Sequence, residues 1–323
     1  MTKAIATAGV LMLSDEGKLA VDDPVSKYLP ELESLTIAQG DKTIAAHETM
    51  TVAHLMTHTA GYSYDSSEHE AYNEAFKSQK VLDATLTLEQ MQKKLGGLPV
   101  LFEPGTDWRY GISIDVLGRV IEVASGMPLD QFLQERFFTP LDMRDTGFFV
   151  DPKQVERFAS LYTSDGKGHL EVKAPDGEDS DYLNRPAFLS AGGGLVSTAR
   201  DYVRFLMMIA NEGEFQGKQY LKPETVALMT SNQLSKDVGW IKFGAEVRTG
   251  VGFGFGFCVR DEMSDWDPQG HVGEYGWGGA ASTHYWVSPA DDDLIVVTLE
   301  QVMPYSFMTE FRLKGLIYDA IEK

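Results

Sequence analysis

Three stretches of this 323-residue sequence carry side chains suited to moving a proton and holding a reacting oxygen. Met1-Thr2-Lys3 opens an apolar run and offers an ammonium. Pro104-Gly105-Thr106-Asp107-Trp108-Arg109-Tyr110 ends on a phenol just ahead of a helical pattern. Gly276-Trp277-Gly278-Gly279-Ala280-Ala281 reads as a strand whose glycines let a ligand lie along its edge, near exposed backbone N–H groups. A phenol with its usual pKa near 10 is a poor base at neutral pH, and a cation held close in a partly dry cleft corrects that. Taken singly, Lys3 reads as a surface lysine, Tyr110 as a buried ring with one hydrogen bond, and the glycines as tight packing. Their joint occurrence carries the chemistry.

Other patterns point away from metals and nucleotides. His54 and His58 are four residues apart, but Leu-Met-Thr separates them, without the glutamate of H-E-x-x-H, and no third ligand follows nearby. They read as structural, with no metal expected. Gly192-Gly193-Gly194 lacks the Gly-Lys-Ser/Thr ending of a phosphate loop. Gly252, Gly254 and Gly256 do not form G-x-G-x-x-G ahead of a helix. No cofactor is expected.

The elements that must position these residues follow from periodicity and caps. Met1 to Ser14 predicts a helix, stopped near Gly17. Thr51 is placed to cap a helix reaching Thr59, and Asp65 to Lys94 reads as a polar, helix-prone excursion over a cleft. Ser113 is expected to cap a helix striped with Ile114, Leu117, Val120, Ile121 and Ala124 and ended by Gly126. Thr198 to Asn211 predicts another helix. From about Val251 the period changes. Gly252 to Phe257 alternates glycine with Phe253, Phe255 and Phe257, predicting three rings on one strand face. Trp277–Ala281, Thr283–Val287 and Leu294–Gln301 predict successive antiparallel strands, and Pro304 opens a closing helix. Residues 1–17 and 244–323 are expected to form a sheet-and-helix domain, with 18–243 as a mainly helical insertion.

Together the three stretches resemble the catalytic elements of the serine β-lactamase and penicillin-binding protein superfamily: S-x-x-K, the Tyr motif and the K-T-G strand. Thr57-His58-Thr59-Ala60-Gly61 and Ala191-Gly192-Gly193-Gly194-Leu195-Val196-Ser197-Thr198 extend the match across nearly the whole chain. The sequence is most similar to family VIII carboxylesterases, which share the fold of class C β-lactamases. The resemblance implies an α/β (α+β) β-lactamase/transpeptidase-like fold, an antiparallel sheet flanked by terminal helices beside a mostly helical domain. It implies that Lys3 and Tyr110 are catalytic, with Lys3 stabilising a Tyr110 phenolate that takes the nucleophile's proton. It makes Trp277, Gly278 and Gly279 the substrate strand and the Ala280 N–H an oxyanion donor. Trp277 stands in place of the cation that receives a lactam or peptide carboxylate. Ile112 stands where an asparagine usually meets the substrate amide. Both substitutions point to small neutral esters. The nucleophilic serine would precede Met1, so the resemblance implies a chain truncated just after it, lacking the first strands and inactive as given. The alternatives are a class C-like β-lactamase or D-amino acid peptidase, or a catalytically silent ligand-binding homologue.

Composition narrows the partners. The 48 acidic and 28 basic residues give a net charge of −20, which repels phosphate backbones and anionic lipid. A small-molecule ester is the expected partner, not nucleic acid or a membrane. An edge exposed by missing strands would invite a homodimer. Lys3 is the only cation in the first apolar stretch, so a core helix fits it better than a signal peptide. The cytoplasm is the favoured compartment, although any export signal would lie upstream. Cys258 is the lone cysteine and excludes an intrachain disulfide.

Overall fold

The computed structural model describes residues 1–40, 42–174 and 181–321. Its helices in chain order are α1 (Thr2–Asp15), α2 (Val52–Met56), α3 (Glu70–Ser78), α4 (Leu88–Leu95), α5 (Ser113–Ser125), α6 (Leu129–Leu133), α7 (Ala199–Ala210), α8 (Pro223–Met229) and α9 (Phe307–Ile321). The main sheet contains β1 (Val251–Phe253), β2 (Cys258–Arg260), β3 (Tyr275–Gly279), β4 (Thr283–Ser288) and β5 (Leu294–Leu299). Its spatial order, β5-β4-β3-β2-β1, matches its sequence order, and every neighbouring pair is antiparallel. This is a meander in which each strand folds back beside the last.

Alternation along β4 sorts its residues to two faces. Tyr285 packs 4.8 Å from the Tyr202 ring of α7, and Phe257 and Tyr275 join it on that face. His284 and Trp286 point the other way, toward Glu310 and Lys314 of α9. The sheet is therefore flanked by helices on both faces. α1 is buried from Thr2 through Leu13, because small residues let neighbours close in around it. A Cβ on Gly9 would lie 3.0 Å from the Phe132 ring of α6.

α9 is fastened by a buried ion cluster as well as by rings, Phe311 lying 5.4 Å from Trp266. Lys314 Nζ lies 2.9 Å from Asp267 and 2.7 Å from Glu274, and Arg260 Nε lies 3.1 Å from Glu274. Arg260 also pairs with Asp267, and the Tyr318 hydroxyl donates to Glu274. The four charged side chains are only 4–5% exposed.

Several expectations need adjustment. Gly252 to Phe257 is not one strand: β1 ends at Phe253, the chain turns through Gly254 to Gly256, and β2 begins at Cys258. Gly256 has φ +89°, which favours glycine. The Phe253 ring consequently belongs to a different cluster from Phe255 and Phe257. Ser113 is the first residue of α5 rather than its cap, and its hydroxyl makes no hydrogen bond among the described residues. Within 18–243, beside the helices, Thr36–Gln39 forms a hairpin with Lys42–Ala45, which leaves the mainly helical expectation unaltered. Leu161–Ser164 pairs in parallel with Val302–Met303, near the far end of the chain. No helix among the described residues is long and apolar enough to cross a membrane.

Candidate active site

The site assembles where the start of α1, the loop before α5 and strand β3 meet. Lys3, in the first turn of α1, is 4% exposed. Its Nζ donates to the Gly192 carbonyl at 2.6 Å and lies 4.7 Å from the centre of the Tyr110 ring. Burial alone would push the ammonium's pKa down. The electronegative groups of Tyr110, Tyr64 and Asp115 outweigh that and raise it, so Lys3 stays charged. The Met1 nitrogen lies 3.4 Å from the Gly278 carbonyl, which brings the start of α1 against β3.

Tyr110 is set by its neighbours' backbone. Arg109 N–H donates to the His58 carbonyl at 2.9 Å. Gly111 permits the approach of the next segment, since a Cβ there would lie 2.6 Å from Ser63 Cα and the Tyr62 carbonyl oxygen. The Tyr110 ring then sits 5.6 Å from Trp277 of β3, 5.7 Å from Phe243 and 5.0 Å from His58. Lys3, Tyr110 and Trp277 are thus brought together, as the resemblance implied.

Two glycines of β3 have a nearer reason for being glycine than an approaching ligand. A Cβ on Gly278 would lie 2.5 Å from the Tyr305 ring behind the strand, and one on Gly279 would lie 2.2 Å from Thr283 Oγ1. Ala280 follows on an exposed turn. Ile112 is completely buried within the main core.

Two residues that sequence reasoning missed stand beside Lys3. Tyr64 packs 5.8 Å from Tyr110, and burial raises its pKa against the pull of Lys3. Its place after Gly61, whose φ is +88°, was the available signal. Asp115 is buried in the first turn of α5, where an acidic residue reads simply as favourable to the helix dipole. It accepts from Ser190 Oγ at 2.6 Å and from Gly192 N–H at 3.0 Å, while the Gly192 carbonyl accepts from Lys3. Burial raises the Asp115 pKa, with Lys3 opposing. The Gly192 turn therefore serves as a relay that sets the lysine.

The histidines part company. His54 Nδ1 accepts from the Thr51 N–H at 3.2 Å and so closes the cap of α2. His58 lies beyond that helix at φ +59°, wholly buried, and neither ring nitrogen makes a hydrogen bond among the described residues. Burial, and then the Lys3 charge, lowers its pKa well below the ordinary value. The sign follows directly. Below about pH 6.5 the unfolded chain takes up a proton that folded His58 refuses, so stability falls as pH falls. His58→Asn tolerates the same backbone and cannot titrate. Relative to it, the wild type is expected to lose up to about 1.4 kcal/mol more per pH unit on the acid side. Urea unfolding of both proteins at pH 7, 6 and 5 measures this, and parallel stability curves would reject it.

The beta-lactamase family profile matches residues 1–313. The chain belongs to the beta-lactamase family. Among its curated relatives, this beta-lactamase-family protein is 34% identical to an uncharacterised protein of Mycobacterium tuberculosis, over 94% of this chain and 76% of the relative. It is 32% identical to esterase EstB of Burkholderia gladioli, over 90% of this chain and 73% of the esterase. Among solved structures, it resembles EstCE1, described as a hydrolase with promiscuous acyltransferase activity. The TM-score is 0.80, with 27% identity over 98% of this chain and 83% of EstCE1. The family and these relatives place the chain among β-lactamase-fold serine hydrolases with esterase and acyltransferase members.

Proposed function

We propose that this protein hydrolyses small neutral carboxylic esters through an acyl-enzyme. The carrying observation is the Lys3 ammonium 4.7 Å from the Tyr110 ring, which in turn lies 5.6 Å from Trp277 on the glycine strand. In the family pattern S-x-x-K the nucleophilic serine stands three positions before the lysine, and Lys3 fills the lysine's place. Tyr110 takes the serine proton as the hydroxyl oxygen attacks the ester carbonyl, and then gives it to the departing alcohol. Lys3 steadies the phenolate between those steps. The Ala280 N–H receives the oxyanion, a contact of the kind worth about 3–4 kcal/mol in the transition state. Water repeats the sequence to release the acid.

Trp277 supports the neutral-ester reading, because an indole offers apolar contact and one donor but no charge. EstB, an esterase by name, and EstCE1, described as a hydrolase, support the same reading. The test is a form with a serine placed directly before Met1, so that it begins Ser-Met-Thr-Lys. It is expected to hydrolyse p-nitrophenyl butyrate and to react with a fluorophosphonate probe, and replacement of that serine by alanine abolishes both. An inert serine form rejects the proposal. Nitrocefin turnover faster than ester turnover would replace it with the lactam reading.

A further inference from the structure

The hairpin Lys242–Phe243 with Glu246–Val247 is attached to the site by side chains more than by sheet. Its pairing covers two residues on each side, and the turn between them uses Gly244 at φ +60°. Lys242 Nζ lies 2.5 Å from Asp107, inside the loop that delivers Tyr110. The Arg248 guanidinium lies 4.2 Å over the Phe243 ring from the other side. Phe243 is half-buried, whereas residues 244–247 are exposed. Its ring centre lies 5.7 Å from Tyr110, 6.2 Å from Trp277 and 5.4 Å from Trp108.

We propose that Phe243 is the specificity-determining residue of this site, the wall that stops the acyl chain. The inference rests on the ester-hydrolase reading. A carbonyl held between Tyr110 and the glycine strand must extend its acyl chain past rings, and Phe243 touches both Tyr110 and Trp277. Each methylene with apolar contact strengthens binding by about fourfold. A ring across the path ends that gain, because overpacking offsets the burial. Phe243 thus admits short acyl groups and refuses long ones. Its removal opens room for several methylenes and keeps both Lys3 and Tyr110.

The experiment uses the chain as it is and needs no turnover. Methyl ketones from 2-pentanone to 2-undecanone carry the neutral carbonyl and the acyl chain, and quenching of the intrinsic fluorescence, to which Trp108 and Trp277 contribute among five tryptophans, reports their binding. The wild type is expected to gain affinity only over the shorter ketones and then level off. Phe243→Ala continues to gain about fourfold per methylene beyond that point. Should that variant fold poorly, Phe243→Leu, which keeps an apolar side chain, is expected to shift the levelling point to longer chains. An unmoved levelling point, a wild type with none, or no saturable ketone binding overturns the inference. Failure of the hydrolase reading is visible separately, as a serine form that ignores esters while the ketone profile still responds to Phe243→Ala.

Discussion

Tyr110→Phe in the Ser-Met-Thr-Lys form is expected to reduce kcat for p-nitrophenyl butyrate by about 10²–10⁴-fold, the usual contribution of a positioned acid–base group. KM should change little. The phenyl ring keeps the contacts with His58, Phe243 and Trp277, so the cleft is conserved and only the proton carrier is lost. Lys3 remains charged in the variant, because Tyr64 and Asp115 also support it. Steady-state kinetics beside a thermal melt separates the outcomes: retained kcat removes Tyr110 from the mechanism. A fall in kcat with an unchanged melt confirms a chemical role, whereas a parallel loss of stability would make Tyr110 a packing residue.

The second large effect concerns stability. Lys314→Met is expected to cost about 3–5 kcal/mol, the usual result of removing one partner from a buried ion cluster. Asp267 and Glu274 would then share Arg260 as their remaining cationic partner, with both carboxylates almost fully out of water. Methionine fills much of the space beside Trp286, so the loss reports uncompensated charge rather than a cavity. Urea unfolding measures it. A change below about 1 kcal/mol, the range of exposed pairs, would mean that water reaches the cluster. Added salt should hardly alter the wild-type contribution, since buried pairs are weakly screened.

What the sequence made legible follows from local chemistry. α1, α5, α7 and the three strands from Tyr275 to Leu299 were readable because their periods and caps act within a few residues. The triplet Lys3, Tyr110 and Trp277 was readable only through motif order, since nothing local links residues so far apart. Asp115 was hidden because its partner, the Gly192 turn, comes much later in the chain. The burial of Ile112 was hidden for a related reason: a position in a motif does not fix which way the side chain points. The aromatic alternation from Gly252 to Phe257 imitates one strand, yet Gly256 breaks it because the Thr7 side chain would lie 2.9 Å from any Cβ there.

The burial of α1 has a consequence for synthesis. Its residues from Thr2 to Leu13 find no water in the finished fold, and the Met1–Gly278 contact spans 277 positions of sequence. At about 5–20 residues per second, the ribosome delivers that partner strand on the order of 15–55 s after the helix emerges. During that interval the apolar, nearly uncharged α1 can pack on α5 and α6 once they emerge, while its first turn waits for β3. Nascent chains of this protein should therefore be holdase clients until α5 and α6 emerge, and the start of α1 stays unfinished until β3 follows.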